Sequence, residues 1–344
     1  GRHSLYHNNG DGTFTDVSEK SGIAAVKPGY ALTALAADLD GDGWPDIYVA
    51  CDTSPSLLFR NNRDGTFSEQ GLEAGVSLSE DGQEQAGMGV AIGDFDTDGH
   101  LDIFKTHFRA DTNVLYRNNG KGSFRDVTVR SGLGAETRYV GWGAGMVDLN
   151  NDGLPDLMFT TGMVYPEVEQ KSPDAAYRTP SVIFRNLGDS KFEELREQAG
   201  PGIAETHSSR GAAFGDFDND GDIDILLVNL NEPPSLLRNE LSGAGHWLKV
   251  QLVGVVSNRS AIGAQVIAAY GERRQAQAVL AQSSYLSVND RRLHFGLGAA
   301  TSASLEIRWP NGAVEKIGDV AAGQLVVIRE GAGIVRRQTM GRAR

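Results

Sequence analysis

Apolar residues along this chain come in short runs, four to eight long, each bounded by Gly, Asn or Asp, and the runs recur in a fixed order. A small-residue run such as "GMGVAIGDF" or "RGAAFGDF" is followed by a short β-branched or aromatic run, "DIYVA" or "DILLV". A third run ends in Arg-Asn, as in "SLLFRN" and "NVLYRN", and a fourth is "GTFSE" or "GSFRDV". Short apolar runs between turn signals predict strands, and Asn-Gly or Asp-Gly between the third and fourth runs predicts a hairpin. The unit repeats at spacings of 56, 54 and 68 residues, counted from Asp38 to Asp94, Asp148 and Asp216. Four short strands per repeat of this length predict the blades of a β-propeller, with the small-residue strand crowding the axis.

Between the first and second strand of each unit sits an acidic nonapeptide: "DLDGDGWPD", "DFDTDGHLD", "DLNNDGLPD" and "DFDNDGDID". The shared form is D-x-[DN]-x-D-G-x-x-D. Side-chain oxygens at positions one, three, five and nine, with a glycine at six, suit a tight loop around one hard cation. The candidate ligands are Asp38, Asp40, Asp42 and Asp46; Asp94, Asp96, Asp98 and Asp102; Asp148, Asn150, Asp152 and Asp156; and Asp216, Asp218, Asp220 and Asp224. Position seven adds a backbone carbonyl, from Trp44, His100, Leu154 or Asp222. An all-oxygen, carboxylate-rich set favours calcium over transition metals. An EF-hand competes and fails, because position twelve is Val49, Lys105, Phe159 or Leu227 rather than Glu, and the flanks are strand-like. The four loops hold 4, 4, 3 and 5 carboxylates, so the third is expected to bind most weakly. Four similar sites, one per blade, point to a structural metal rather than a single active centre.

Charge marks a boundary. Residues 1–245 carry 19 Lys+Arg against 39 Asp+Glu, and the remainder carries 13 against 6. The acidic body disfavours a nucleic-acid partner. No run of about 18 apolar residues is present to span a membrane as a helix. The single cysteine, Cys51, supports neither an internal disulfide nor a metal motif. After "NELSGAGHW" the repeat period ends, and alternating runs from "HWLKVQL" to "QLVVIRE" predict a small, separately folding β-sandwich over residues 246–331. The basic end, 332–344, has no apolar pattern and reads as a disordered tail. His294 in "RLHFGLG" reads as a strand residue, and the pairs Arg273, Arg274 and Arg291, Arg292 as a solvated face.

The residues carry a family resemblance. "GVAIGDFDTDGHLDIF" and "GAAFGDFDNDGDIDIL" resemble FG-GAP/VCBS repeats, the units of the integrin α-subunit propeller. "NRSAIGAQVIAAYG", "SSYLSVNDRRLHFGLG" and "LEIRWPNGAVEKI" resemble the ASPIC/UnbV domain of the cartilage acidic protein family. The resemblance implies calcium on one propeller face, ligand on the other, and a secreted, periplasmic or cell-surface location. It also implies a propeller of about seven blades. This chain opens on the last two strands of a blade, "HSLYHNN" and "GTFTDV", so it is expected to form part of a larger propeller whose parent carries further blades and a secretion signal.

Metal loops follow strand one, so the face bearing the loops after strands two and four is left for a partner, an extracellular protein or glycan. The long insertion "GMVYPEVEQKSPDAAYRTP" falls there, with Arg138, Tyr139, Trp142, His207 and Arg210 as candidate anchors. Trp142 also reads as filler between blades. No phosphate loop, nucleophile elbow, Cys-His pair or zinc signature is present, which favours an adhesion or ligand-binding module over an enzyme. The alternative is a carbohydrate-active enzyme or lectin built on the propeller.

Overall fold

The computed structural model describes residues 3–27, 29–172, 175–241, 243 and 245–340. Each repeat folds into one antiparallel sheet whose strands pair in chain order. Blade one comprises Tyr30–Ala37, Asp46–Asp52, Leu57–Asn61 and Phe67–Glu69. Blade two comprises Gly87–Gly93, Asp102–His107, Val114–Asn118 and Phe124–Asp126. Blade three comprises Gly141–Val147, Asp156–Thr161, Val182–Gly188 and Lys191–Leu195. Blade four has three strands, Ser209–Gly215, Asp224–Asn229 and Ser235–Leu237. The opening strands Tyr6–Asn8 and Phe14–Asp16 pair only with each other among the described residues.

The blades stack side by side because each presents aromatic and β-branched residues on both faces. Leu58, Tyr48 and Tyr116 close the seam between blades one and two. Phe104, Phe159 and Phe184 fill the next seam, and Met158, Phe214 and Ile225 the last. At the axis the first strands abut so closely that only small residues fit. A Cβ on Gly89 would lie 1.8 Å from the carbonyl oxygen of Trp142, and one on Gly143 would lie 2.7 Å from that of Arg210. The outer surfaces of the arc stay open: Tyr30 on blade one and Val228 and Leu236 on blade four are more than half exposed.

One charge is buried without a carboxylate partner. Lys105 in blade two is 1% exposed, and its ammonium donates to Ser56 Oγ at 3.0 Å. Burial pulls its pKa down to about 8 from 10.5. A depressed lysine penalises the folded state wherever it is charged, so stability rises with pH between about 8 and 10.5. Lys105→Met lacks that term. Its stability relative to the unsubstituted protein is expected to fall by about 1–3 kcal/mol between those pH values. Paired denaturant titrations at pH 8 and 10.5 check this, and a pH-independent difference refutes it.

The C-terminal unit is a sandwich of two four-stranded sheets. One is ordered Leu293–Gly298, His246–Val253, Gln324–Arg329, Gly333–Thr339, and the other Arg273–Ala278, Gln265–Tyr270, Ser302–Arg308, Val314–Ala321. Trp309, Phe295, Val326 and Leu305 lie in its core. The basic end departs from the disordered tail expected over 332–344. Gly333–Thr339 forms an edge strand paired with Gln324–Arg329, and Met340 is buried beside Trp247 and Leu325. Ladder hydrogen bonds hold this strand, and its side chains are mostly exposed, which is why no apolar alternation announces it. Residues 341–344 lie outside the described set.

Sandwich and arc share one packing unit. Ile267 and Ala276 of the sandwich belong to the core between blades one and two. The segment Ala281–Asp290 runs along the inner strands of the arc. Ser284 exchanges backbone hydrogen bonds with Val90 at 3.1 and 2.8 Å, its hydroxyl accepts from Ala144 N, and Asp290 N donates to Phe214 O. The boundary visible in charge is therefore not a boundary in packing.

Candidate metal centres

All four acidic loops close in the same way. The position-one aspartate accepts the amide of position five on Oδ1, at 3.0–3.2 Å, and that of the position-six glycine on Oδ2, at 2.7–2.9 Å. The position-five aspartate accepts the position-seven amide, from Trp44, His100, Leu154 and Asp222 in turn. The turn requires a left-handed residue at position six, where Gly43, Gly99, Gly153 and Gly221 have φ of 89°, 94°, 88° and 100°.

The position-nine aspartate ties three strands together. Its Oδ2 accepts the amide of position two, from Leu39, Phe95, Leu149 or Phe217, and its Oδ1 accepts the amide of the Asn that ends strand three. That Asn is a functional position the sequence reading passed over. Asn118 Nδ2 reaches Leu39 O of the previous loop at 2.7 Å, Asn186 reaches Phe95 O at 2.8 Å, and Asn239 reaches Leu149 O at 2.7 Å. Each of the first three loops is thus latched to the next blade by the Asn of the Arg-Asn motif. The recurrence of that motif was the available signal.

These closures gather carboxylates. Oxygens of Asp38, Asp40 and Asp42 lie within 4.8 Å of one another, as do those of Asp94, Asp96 and Asp102 and those of Asp216, Asp218 and Asp224. The third loop does not make such a trio. Asn150 stands at position three, and its amide accepts from Asp152 N and donates to Asp152 Oδ2. Burial pushes Asp94 up to about 8, Asp156 to about 7, and Asp46 and Asp224 to about 6. Asp102 and Asp148 are driven well above the usual range, by burial first and neighbouring carboxylates second. Asp96 Oδ1 is closed to solvent and has no hydrogen-bond partner. Buried, mutually repelling oxygens of this kind fit a hard divalent cation, which restores their ionised form. Arginines balance part of the charge from outside: Arg60 on Asp46, Arg63 on Asp42, Arg117 on Asp98 and Arg238 on Asp218.

The sandwich docks on this same face. Ala276 N donates to Asp94 Oδ2 at 2.8 Å, Tyr270 Oη to Gly153 O, and Gly298 N to Asn151 O. The arginines expected on a solvated face take part. Arg273 donates to Asp152 O at 2.7 Å, Arg274 N to Thr97 O, and Arg292 to Asp216 O and Asn219 Oδ1. Their targets are loop carbonyls and an amide in another domain, which no local pattern reveals. His294 is a buried strand residue, held neutral by burial with its pKa near 3, and its Nε2 meets Asn151 Oδ1 at 2.7 Å.

The other candidate anchors are already engaged within the chain. Trp142 is 8% exposed, donates to Gly162 O, and lies between Arg210, 4.2 Å above its ring, and the edge of Tyr285. Arg138 pairs with Glu136 and Glu194 and covers Tyr139. His207 contacts Glu232 at 2.7 Å.

Three four-stranded blades and a three-stranded one in series, each with an acidic turn after its innermost strand, define a propeller-repeat protein. The chain belongs to the FG-GAP-like repeat family, whose pattern matches residues 1–49, 38–104, 108–159 and 175–227, and the ASPIC and UnbV pattern matches residues 254–335. Among curated relatives, cartilage acidic protein 1 of Homo sapiens is 29% identical over 91% of this chain and 44% of its own length. The Xenopus tropicalis protein of that name is 30% identical over 78% of this chain and 40% of its own. The chain thus spans less than half the length of these relatives. Solved structures with a slight likeness include an Agrocybe aegerita lectin that recognises non-reducing terminal N-acetylglucosamine, with 21% identity, TM-score 0.40, and 69% and 60% of the two chains covered. Trypanosoma rangeli sialidase has 10% identity, TM-score 0.38, and coverage of 96% and 55%. Among the described residues no helix is long and apolar enough to cross a membrane.

Proposed function

We propose that this chain is a calcium-stapled propeller segment of an extracellular ligand-binding or adhesion protein. The observation that carries the reading is the set of carboxylate trios in the first, second and fourth loops, with Asp96 Oδ1 left unpartnered inside the second. The first loop would hold the ion with Asp38, Asp40, Asp42 and Asp46 and the Trp44 carbonyl, the second with Asp94, Asp96, Asp98 and Asp102 and the His100 carbonyl. The third would use Asp148, Asn150, Asp152, Asp156 and Leu154 O, and the fourth Asp216, Asp218, Asp220, Asp224 and Asp222 O. Bound calcium supplies positive charge that fixes the loops. Extracellular modules hold calcium at roughly 10⁻⁴ to 10⁻³ M, a range that is loaded outside the cell and empty in the cytosol. Isothermal titration with calcium tests it directly, and no heat or binding at 10⁻² M refutes it.

The sandwich docks on the second, third and fourth loops of the metal-loop face, which favours the opposite face as the ligand surface. Tyr165 in the blade-three insertion is 69% exposed. A protein or glycan partner is expected to lose affinity on Tyr165→Ala. Capture from matrix extract and a glycan array supply the candidates. Undiminished binding of a captured partner to that variant moves the surface elsewhere.

A further inference from the structure

The fourth loop is the most acidic by sequence, with five carboxylates in nine residues, yet among the described residues it alone has a lysine paired with its position-one carboxylate. Lys249, on the first sandwich strand, places Nζ 2.6 Å from Asp216 Oδ2, with the two side chains 1% and 0% exposed. Its second contact is Asp216 O at 3.5 Å. Arg292 closes over the same turn through Asp216 O and Asn219 Oδ1. In the other loops the position-one carboxylate has no such partner among the described residues. Asp38 and Asp148 meet only loop amides, and Asp94 adds one neutral amide, that of Ala276. The fifth carboxylate of the fourth loop, Asp222, is turned to Asn151 of the neighbouring loop, which donates to its Oδ1 at 3.0 Å.

We propose that Lys249 makes the fourth loop a weak divalent site: the sandwich supplies an ammonium to Asp216, and an incoming cation and the docked lysine compete for that carboxylate. The inference rests on the calcium reading of the loops. An ion bound to Asp216, Asp218 and Asp224 would lie within a few ångströms of Nζ, and two like charges at that range between buried groups repel with little screening by salt. The lysine stem is enclosed by the interface, so the ammonium withdraws only if the sandwich shifts. The carboxylate count and the structure therefore rank the loops differently. By count the third loop is weakest and the fourth strongest, whereas Lys249 puts the fourth last.

The test counts calcium ions on the full chain by isothermal titration and equilibrium dialysis. The unsubstituted protein is expected to bind three ions in its tighter class. Asp96→Asn should reduce that to two, and Asp218→Asn should leave it at three. Lys249→Met should bring in a fourth ion, or tighten the weak site at least tenfold. Loss of a tight ion in Asp218→Asn overturns the inference while leaving the calcium reading intact, as does a folded Lys249→Met protein with no added ion. If Lys249→Met fails to fold, the comparison of Asp218→Asn with Asp96→Asn decides alone. A chain that binds no calcium at any loop overturns the inference together with the reading beneath it.

Discussion

Chelation of calcium is expected to lower the melting temperature of this protein by roughly 8–16 °C. A ligand that binds only the folded state stabilises it by about 2.7 kcal/mol per site at 100 times Kd, so three loaded loops contribute about 8 kcal/mol. With an unfolding entropy of about 2.1 cal/mol/K per residue, 1 kcal/mol corresponds to roughly 1–2 °C in a chain of 344 residues. The structure says why the effect should be large. The loops carry carboxylates that burial drives toward protonation, among them Asp94, Asp102 and Asp148. The Asn latches then pass each loop's geometry to the next blade, through Asn118 to Leu39 and Asn186 to Phe95. Loosening one loop therefore loosens a seam. Magnesium, which demands smaller octahedral sites and gives up water reluctantly, should restore only part of the loss. Asp96→Ala should remove about a third of the calcium gain. Melting in calcium, magnesium and chelator measures all of this, and three coincident curves would reject the staple.

How the chain displays its fold follows from where the constraints are local. The blades are legible because the units repeat the same strand order and the same turn, and a nine-residue spacing around one glycine has few structural uses. Strand-ending Asn residues were visible as a recurrence, but their reach of one full repeat, from Asn186 to Phe95, crosses 91 residues. Asp222 was legible only for its backbone carbonyl at position seven, and it takes its partner Asn151 in the neighbouring loop to show that the side chain bridges loops. The sandwich was legible as alternating strands, and its docking was not. Lys249 occupies an ordinary position in "HWLKVQL", and nothing near it in the chain marks Asp216 as its partner. Arg273 and Arg292 likewise satisfy loop carbonyls, which leave no trace in the sequence. The edge strand Gly333–Thr339 has ladder hydrogen bonds in place of an apolar face, so a pattern search passes over it.

Gly89→Ala is expected to cost more than about 4 kcal/mol, although it adds a single methyl group. Gly89 is not left-handed, so backbone freedom is not the reason it is glycine. The added Cβ would stand 1.8 Å from Trp142 O and 3.1 Å from Thr106 Oγ1. Neither neighbour is free to retreat. Thr106 Oγ1 donates to Trp142 O at 2.7 Å and accepts from Gly89 N at 2.9 Å, and the Trp142 indole is held by Gly162 O below and Arg210 above. Relief therefore requires the first strands of blades two and three to separate. That opens the seam packed by Phe104 and Phe159 and breaks the Ser284 pairing with Val90. Overpacking a rigid core typically costs 1–3 kcal/mol, and a collision with fixed backbone lies beyond that range. Gly318→Ala is the control, since a Cβ there meets nothing within 4 Å. It should change stability by no more than about 0.5 kcal/mol, as a surface substitution does. Denaturant midpoints for the two variants, in saturating calcium, make the comparison. Equal midpoints would mean that the inner strands are not in contact as described, and that the axis of the arc has room to spare.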